Sequence, residues 1–312
     1  MAEAGADRAV ADGPQEGARW RLAAPAKLNL WLTVVGQRPD GFHELDSLLV
    51  LLELADEVSV GPGDAELRIS GPAAASVPAD RTNLAWRGWA AGLADIGAHA
   101  DVGDPPDPLH PFAVSVEKHV PAAAGLGGGS SDAAAAWRLA RWVAGRNDAT
   151  ATPDELVTLS RIGADVPFFA ARIGVARIGG VGERVEPADQ IAPGIEQGKE
   201  HAVLAHPPFG LATGAVFAEL RRSDWSGPVS DPREPWRNDL EQPARRLRTE
   251  LDDLFRLVAG AGGEPHLTGS GPTVFALTDD PERADGITAR LERAGVTATR
   301  TRLRPEPASI ER

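Results

Sequence analysis

The stretch Pro121-Ala122-Ala123-Ala124-Gly125-Leu126-Gly127-Gly128-Gly129-Ser130-Ser131-Asp132 decides how the rest of the chain is read. Before it, Phe112, Val114 and Val116 alternate with small or polar residues, which predicts a strand. After it, Ala133, Ala136, Trp137, Ala140 and Val143 recur at helical spacing, which predicts a helix to about Ala144 that packs on a sheet. Glycines between a strand and a helix leave the backbone unshielded and permit positive φ, so several N–H groups can face one anion. The helix adds its free amides and the positive end of its dipole. Ser130 or Ser131 suits the N-cap and could touch a phosphate or its Mg²⁺. A linker is the bland alternative, but linkers are seldom flanked by a strand and an amphipathic helix. A branched side chain at Gly127 is expected to block phosphate approach and leave the fold intact.

Two familiar phosphate motifs do not fit. A Walker loop needs Lys where Gly129 stands, and the dinucleotide pattern counted from Gly125 needs Gly where Ser130 stands. A second turn, Thr268-Gly269-Ser270-Gly271-Pro272, leads into the apolar run Thr273 to Leu277. A hairpin explains it equally well, but it also suits a second phosphate-facing loop.

Working outward, Trp20 to Val35 reads as strand, closed by the turn Gly36-Gln37-Arg38-Pro39-Asp40-Gly41. Strands are also expected near Glu57 to Gly61, Leu67 to Ile69, Ala202 to Ala205 and Val274 to Leu277. Helices are expected at Asn83 to Leu93, Asp239 to Val258 and Pro281 to Ala294. Thr152-Pro153-Asp154-Glu155 carries a capping box with Pro at the first helical position, and that helix ends near Gly163. Gly97 to Pro111 and Ser223 to Arg237 read as loops. The mixture predicts an α+β fold in two lobes.

Composition narrows the chemistry. The 312 residues carry a net charge of −13, which leaves no basic surplus for nucleic acid or an anionic membrane. Without Cys there is no disulfide, thiol nucleophile or Cys-type metal site, and without Tyr no phenol acid or base. The strongest apolar run, Leu48 to Ala55, contains Glu53 and is too short to span a membrane. Residues 1–18 are polar and acidic, unlike a signal peptide, so a disordered tail on a cytoplasmic protein is expected.

Some residues stand out singly. Asp165 lies after a helix in a turn braced by Pro167, where a carboxylate could take a proton from a hydroxyl. Capping a short following helix is the commoner fate of an Asp in that position. Lys27 is one of only three lysines in a chain that otherwise uses Arg. Its compact ammonium suits a point contact with phosphate or with Asp165. Asn29, two residues on, shares its strand face.

Pro25-Ala26-Lys27-Leu28-Asn29-Leu30, then Gly36 to His43, the glycine-serine loop, and Leu267 to Phe275 together resemble the GHMP superfamily of small-molecule kinases. Gly163 to Phe168 and Asn238 to Glu241 add to the likeness, which covers roughly residues 20 to 303. Within the superfamily the closest resemblance is to the branch acting on 4-diphosphocytidyl-2-C-methyl-D-erythritol, of the non-mevalonate isoprenoid route. The alternatives are a mevalonate- or homoserine-type kinase, or a nucleotide-binding module without turnover.

The resemblance implies a two-lobed GHMP-kinase fold with the active site between the lobes: a tail at 1–18, an ATP-binding lobe at 19–178 and a substrate lobe at 179–312. It implies ATP as co-substrate with Mg²⁺, a small-molecule substrate, and neither nucleic acid nor membrane as partner. Asp165 becomes the catalytic base with Lys27 beside it, and Asn29 a ligand of the substrate hydroxyl. Phe42, His43 and Phe217 hold the cytosine. Asn83, Leu84 and Lys118 line the adenine pocket. Pro121, Ala122, Ala123, Ala124, Gly125, Leu126, Gly127, Gly128, Gly129, Ser130, Ser131, Gly269, Ser270 and Gly271 surround the phosphates. Ala122 to Ala124 stand where the family commonly has glycines, and Phe42 replaces a frequent tyrosine.

Overall fold

The computed structural model describes residues 19–312 apart from 65, 95–111, 147, 149, 189–199 and 232–235. The expected tail at 1–18 and the Gly97 to Pro111 loop lie outside the described residues.

A long antiparallel hairpin organises the molecule. Strand β1 (Trp20–Gln37) pairs with β2 (His43–Pro62) along its length. The other edge of β2 receives three partners in succession. Residues 45–50 pair with β5 (Val175–Gly180), 51–52 with β10 (Thr297–Arg304), and 57–62 with β4 (Phe112–Glu117). Beyond them, β3 (Leu67–Ser70) lies parallel to β4, and β6 (Arg184–Pro187) pairs with β5. Strand β10 continues the sheet into β7 (His201–His206), β9 (Val274–Thr278) and β8 (His266–Leu267). The expected lobe boundary at 178/179 falls inside β5.

The run Leu48 to Leu52 is apolar at every position because both faces of β2 are covered there. Leu48, Val50 and Leu52 meet Leu28, Leu30, Leu204 and Phe275, whereas Leu49 and Leu51 face Ala133, Trp137 and Phe168. Helix α2 (Gly128–Val143) is buried on nearly every side rather than on one face. It lies between the sheet and α1 (Leu84–Ala94), and its alanines let α1 come close. A Cβ on Gly88 would sit 2.0 Å from the Ala133 carbonyl oxygen, so the contact requires glycine there. Helix α3 (Pro153–Ser160) starts with the expected capping box, and α4 (Val166–Ala170) follows.

Four helices, α5 (Thr213–Ala218), α6 (Glu241–Leu247), α7 (Glu250–Gly260) and α8 (Pro281–Arg293), belong to the second half of the chain. The single helix expected over Asp239 to Val258 is two. Arg248 is extended (φ −139°, ψ 91°), its guanidinium lies 3.7 Å from the Phe209 ring, and it bonds Glu250 at 2.9 Å. Among the described residues no helix is long and apolar enough to cross a membrane.

Candidate active site

A cleft of about 550 Å³ runs between the glycine loop, β1 and the 268–271 turn. The loop crosses from β4 to α2, and the cap of α2 is Gly127 (φ 71°), not Ser130 or Ser131. The first internal bond of α2 is Ser131 N–H to the Gly127 carbonyl, 2.9 Å. The amides of Gly128, Gly129 and Ser130 precede it and have no helical acceptor. Pro121 to Ser130 all line the cleft. Ser131 does not: it is 1% exposed, its hydroxyl has no hydrogen-bond partner among the described residues, and it borders a separate small cavity. Ala123 occupies the left-handed region (φ 51°), which a glycine would adopt without strain.

The far wall is the turn after β8. Asn238 Nδ2 donates to the Leu267 and Gly269 carbonyls at 2.9 and 2.8 Å, which fixes the turn. Thr213 and Ser270 share a hydroxyl contact of 3.0 Å. Gly269 and Ser270 line the cleft, whereas Gly271 does not; a Cβ on Gly271 would be 2.9 Å from Leu267. Gly125 lies so close to this turn that a Cβ there would be 2.3 Å from the Thr268 carbonyl oxygen.

Lys27 and Asn29 project from β1 between the two walls. Lys27 is 2% exposed; its ammonium donates to Asn29 Oδ1 and, at 2.9 Å, to the Gly125 carbonyl. Asn29 Nδ2 donates to Ser47 Oγ at 2.8 Å, and Ser47 in turn to the Trp31 carbonyl at 2.7 Å. Asp165 Oδ2 stands 3.6 Å from Lys27 Nζ with its side chain 36% exposed, so the carboxylate faces both the ammonium and the cleft. It occupies the first position before α4 but makes no capping bond. Burial lowers the Lys27 pKa from its ordinary value, and Asp165 opposes that shift.

A Cβ on Gly127 would lie 3.1 Å from both Lys27 Cγ and Phe169 Cζ. The expectation that valine there isolates phosphate approach is therefore corrected: it would displace Lys27 as well.

At the far end, Val77, Pro78, Asn83, Leu84 and Lys118 line an apolar recess. Asn83 Oδ1 accepts the Ala85 amide at 2.8 Å, and Nδ2 donates to the Pro78 carbonyl at 2.7 Å. The Lys118 ammonium turns inward to Asp56 and, at 2.6 Å, to Asp132. Asp56 also accepts the His119 and Val120 amides at 2.5 and 2.8 Å, which anchors the start of the loop. Burial would lower the Lys118 pKa, but Asp132 and Asp56 outweigh it and raise it. Burial raises Asp132 to about 7, with Lys118 opposing and Asp56 reinforcing the shift. The Lys118 charge is thus committed to the loop anchor.

At the opposite rim, His43 stacks on Phe217 with ring centroids 5.5 Å apart. Phe217 lines the cleft. Neither His43 nor Phe42 lines it, and Phe42 is 63% exposed at the β1–β2 turn. Sequence reasoning missed Ser47, Asp56 and Thr213, and gave no role to Asp132 and Thr268, whose hydroxyl accepts the Asn29 amide at 3.2 Å. Only the last two, standing within the two glycine turns, carried a positional signal.

The GHMP kinase N-terminal domain model matches residues 83–172, and the GHMP kinase C-terminal model matches 216–297. A 4-diphosphocytidyl-2-C-methyl-D-erythritol kinase of Dinoroseobacter shibae is 37% identical over 288 residues, covering 86% of this chain and 88% of that protein. The chain belongs to the 4-diphosphocytidyl-2-C-methyl-D-erythritol kinase family. A second member, from Streptomyces avermitilis, is 37% identical and covers 92% of this chain and 97% of its own length. A crystal structure of 4-(cytidine 5'-diphospho)-2C-methyl-D-erythritol kinase superposes with a TM-score of 0.69 at 31% identity, over 91% of this chain and 98% of that one. Membership makes the chain an ATP-dependent small-molecule kinase with the α+β GHMP fold.

Proposed function

We propose that this chain transfers the γ-phosphoryl group of ATP to the 2-hydroxyl of 4-diphosphocytidyl-2-C-methyl-D-erythritol in the cytoplasm. The observation that carries the mechanism is the pairing of Lys27 with Asp165, 3.6 Å apart, beside the open start of α2. Adenine enters the Val77–Leu84 recess and the phosphates lie along the glycine loop. Asn29 orients the acceptor hydroxyl and Asp165 takes its proton. The freed oxygen attacks the γ-phosphorus, the bond to the β–γ bridging oxygen breaks, and ADP leaves. Lys27 stabilises charge on the moving phosphoryl group. Phosphoryl transfer relies mainly on such positioning and charge stabilisation. Family names and the glycine-loop geometry both support this reading.

Of the residues lining the cleft, Asp132 and Asp165 are the carboxylates, and Asp132 is held by Lys118. Among the described residues no group of three or more His, Asp or Glu is placed to hold a metal. That donor set does not fit a metal held by protein ligands alone. Mg²⁺ carried in on the phosphates needs little more than one carboxylate and water.

A coupled assay of ADP release, run with the diphosphocytidyl substrate beside mevalonate and homoserine, tests the assignment. Turnover is expected with the first alone; comparable turnover with either of the others would overturn it. The methylerythritol 4-phosphate that lacks cytidine should lose turnover as well as affinity, because binding energy from the base orients the reacting hydroxyl. His43→Ala should raise KM for the full substrate and leave ATP affinity unchanged. Phe42→Ala should weaken substrate binding by about one to two decades if its exposed ring covers the base.

Gly129 offers a cleaner test of the phosphate cradle than Gly127. A Cβ there meets only Leu84, at 3.4 Å, and its φ is not positive. Gly129→Val should therefore fold normally by circular dichroism. By crowding the free amides it should weaken ATP binding at least about tenfold, equivalent to one charge-assisted hydrogen bond. Wild-type ATP affinity in the folded variant would remove the cradle.

A further inference from the structure

The His43 ring makes no side-chain hydrogen bond among the described residues; ring contacts alone hold it. Its partners are Phe217, stacked at 5.5 Å and 23°, and Trp225, T-shaped at 5.7 Å and 89°. The second contact comes from the Pro/Asp/Arg-rich loop, in which the sequence points to no functional residue. A ring meant to present a nitrogen to a ligand must have its plane set by something else. Two contacts at different inclinations constrain that plane more than stacking alone, which leaves rotation within the stack free.

The loop around Trp225 is tied down on both sides. Asp224 accepts the Arg221 amide at 2.8 Å and Arg246 Nη2 at 2.6 Å, and Arg246 also donates to the Glu219 carbonyl at 2.7 Å. Ser226 donates its hydroxyl to Asp239 Oδ1 at 2.6 Å and its amide to Oδ2 at 2.8 Å. Asp239, 6% exposed, also receives the Val34 amide of β1 at 2.7 Å. Trp225 is thereby fixed to the hairpin that carries His43. Arg222 lies over the indole at 5.2 Å. The indole N–H is buried and has no hydrogen-bond partner among the described residues, a cost that a plain core residue at this position would not incur. Ring packing against His43 is what the indole offers in return.

We infer that Trp225 is a positioning residue for substrate recognition, setting the plane of the His43 imidazole so that it meets the nucleobase of a pyrimidine-diphosphate substrate. The inference rests on the proposed assignment of His43 to the base. Trp225→Leu keeps apolar bulk and removes the ring. It should raise KM for the diphosphocytidyl substrate about tenfold, with kcat and the KM for ATP nearly unchanged. Trp225→Phe, which restores a ring, should recover most of that loss. In a His43→Ala background the leucine substitution should add little, because the effect passes through His43.

His43 resonances followed by NMR provide a readout that does not depend on the substrate. The leucine variant should shift them and move the His43 titration, which burial now lowers, upward toward the ordinary imidazole range. Ser226→Ala, which loosens the turn and leaves the ring in place, should act in the same direction at smaller size, and serves if the leucine variant does not fold. Unchanged His43 resonances, or a full leucine effect in the His43→Ala background, would overturn the inference. A wild-type enzyme inactive on the diphosphocytidyl substrate would overturn the functional assignment instead, and the NMR comparison would still decide what Trp225 does.

Discussion

Asp165→Asn is expected to lower turnover by roughly 10² or more, the usual contribution of a general base, with ATP affinity retained. The substitution is close to isosteric. Asp165 makes no capping bond, so α4 loses no hydrogen bond when the carboxylate becomes an amide. The side chain is 36% exposed and touches Lys27 at 3.6 Å, so the removed charge is one that faces the cleft and not one buried in the core. A pure capping or structural residue would change the melting temperature and leave kcat alone. Here the opposite split is expected: a thermal midpoint near wild type and a large fall in kcat. Equal turnover in the variant would remove Asp165 from the reaction. The pH profile gives a second check. Burial lowers the Lys27 pKa and Asp165 raises it, so losing the aspartate lets burial act with less opposition. If the cation is needed, activity falls as pH rises through that pKa. The high-pH limb of the variant's residual activity should therefore lie at lower pH than in wild type.

What could be read in the sequence and what could not divide along physical lines. The glycine loop, β1 and α2 were legible because each rests on a local rule: backbone conformation for the glycines, period two for the strand, period 3.6 for the helix. The capping box of α3 was legible for the same reason. Strand β10 was not. Its Thr-Arg alternation from Thr299 to Arg302 resembles a solvated tail, yet Thr301 and Leu303 are buried where the strand joins β7 to β2. That pairing is a long-range event with no local signature.

The site shows the same division. Lys27, Asn29 and Asp165 sit in distinctive local contexts, and the structure brings their side chains together. Lys118 lines the cleft, but its ammonium is committed to Asp56 and Asp132. Asp56 lies 62 residues away in sequence, in the ordinary alternation of β2. Trp225 was invisible because its meaning depends on His43, which is brought to it by anchors on Asp239 and Arg246. The cap expected at Ser130 or Ser131 stands about one helical turn too late, since α2 is capped by Gly127.

Lys27→Met tests the other half of the catalytic pair, and a fall in turnover of about 10² to 10³ is expected, the range seen when a preorganised stabilising donor is removed. Methionine keeps the apolar stem that packs beside Gly127 and deletes the charge. Three contacts disappear together: those to Asn29 Oδ1, to the Gly125 carbonyl and to Asp165. The effect should therefore reach beyond phosphate binding to the acceptor hydroxyl and the base. Lys27→Arg should not rescue it. Lys27 is 2% exposed and its ammonium is shared among Asn29 Oδ1, the Gly125 carbonyl and Asp165, a compact point-charge geometry that a planar guanidinium does not reproduce. A simple phosphate tether would tolerate arginine, so recovery in that variant would reduce Lys27 to one. The double variant Lys27→Met, Asp165→Asn should lose little more than the worse of the two single variants, because each group acts through the other. Losses that multiply would mean two independent contributions and would separate the pair that the 3.6 Å contact joins.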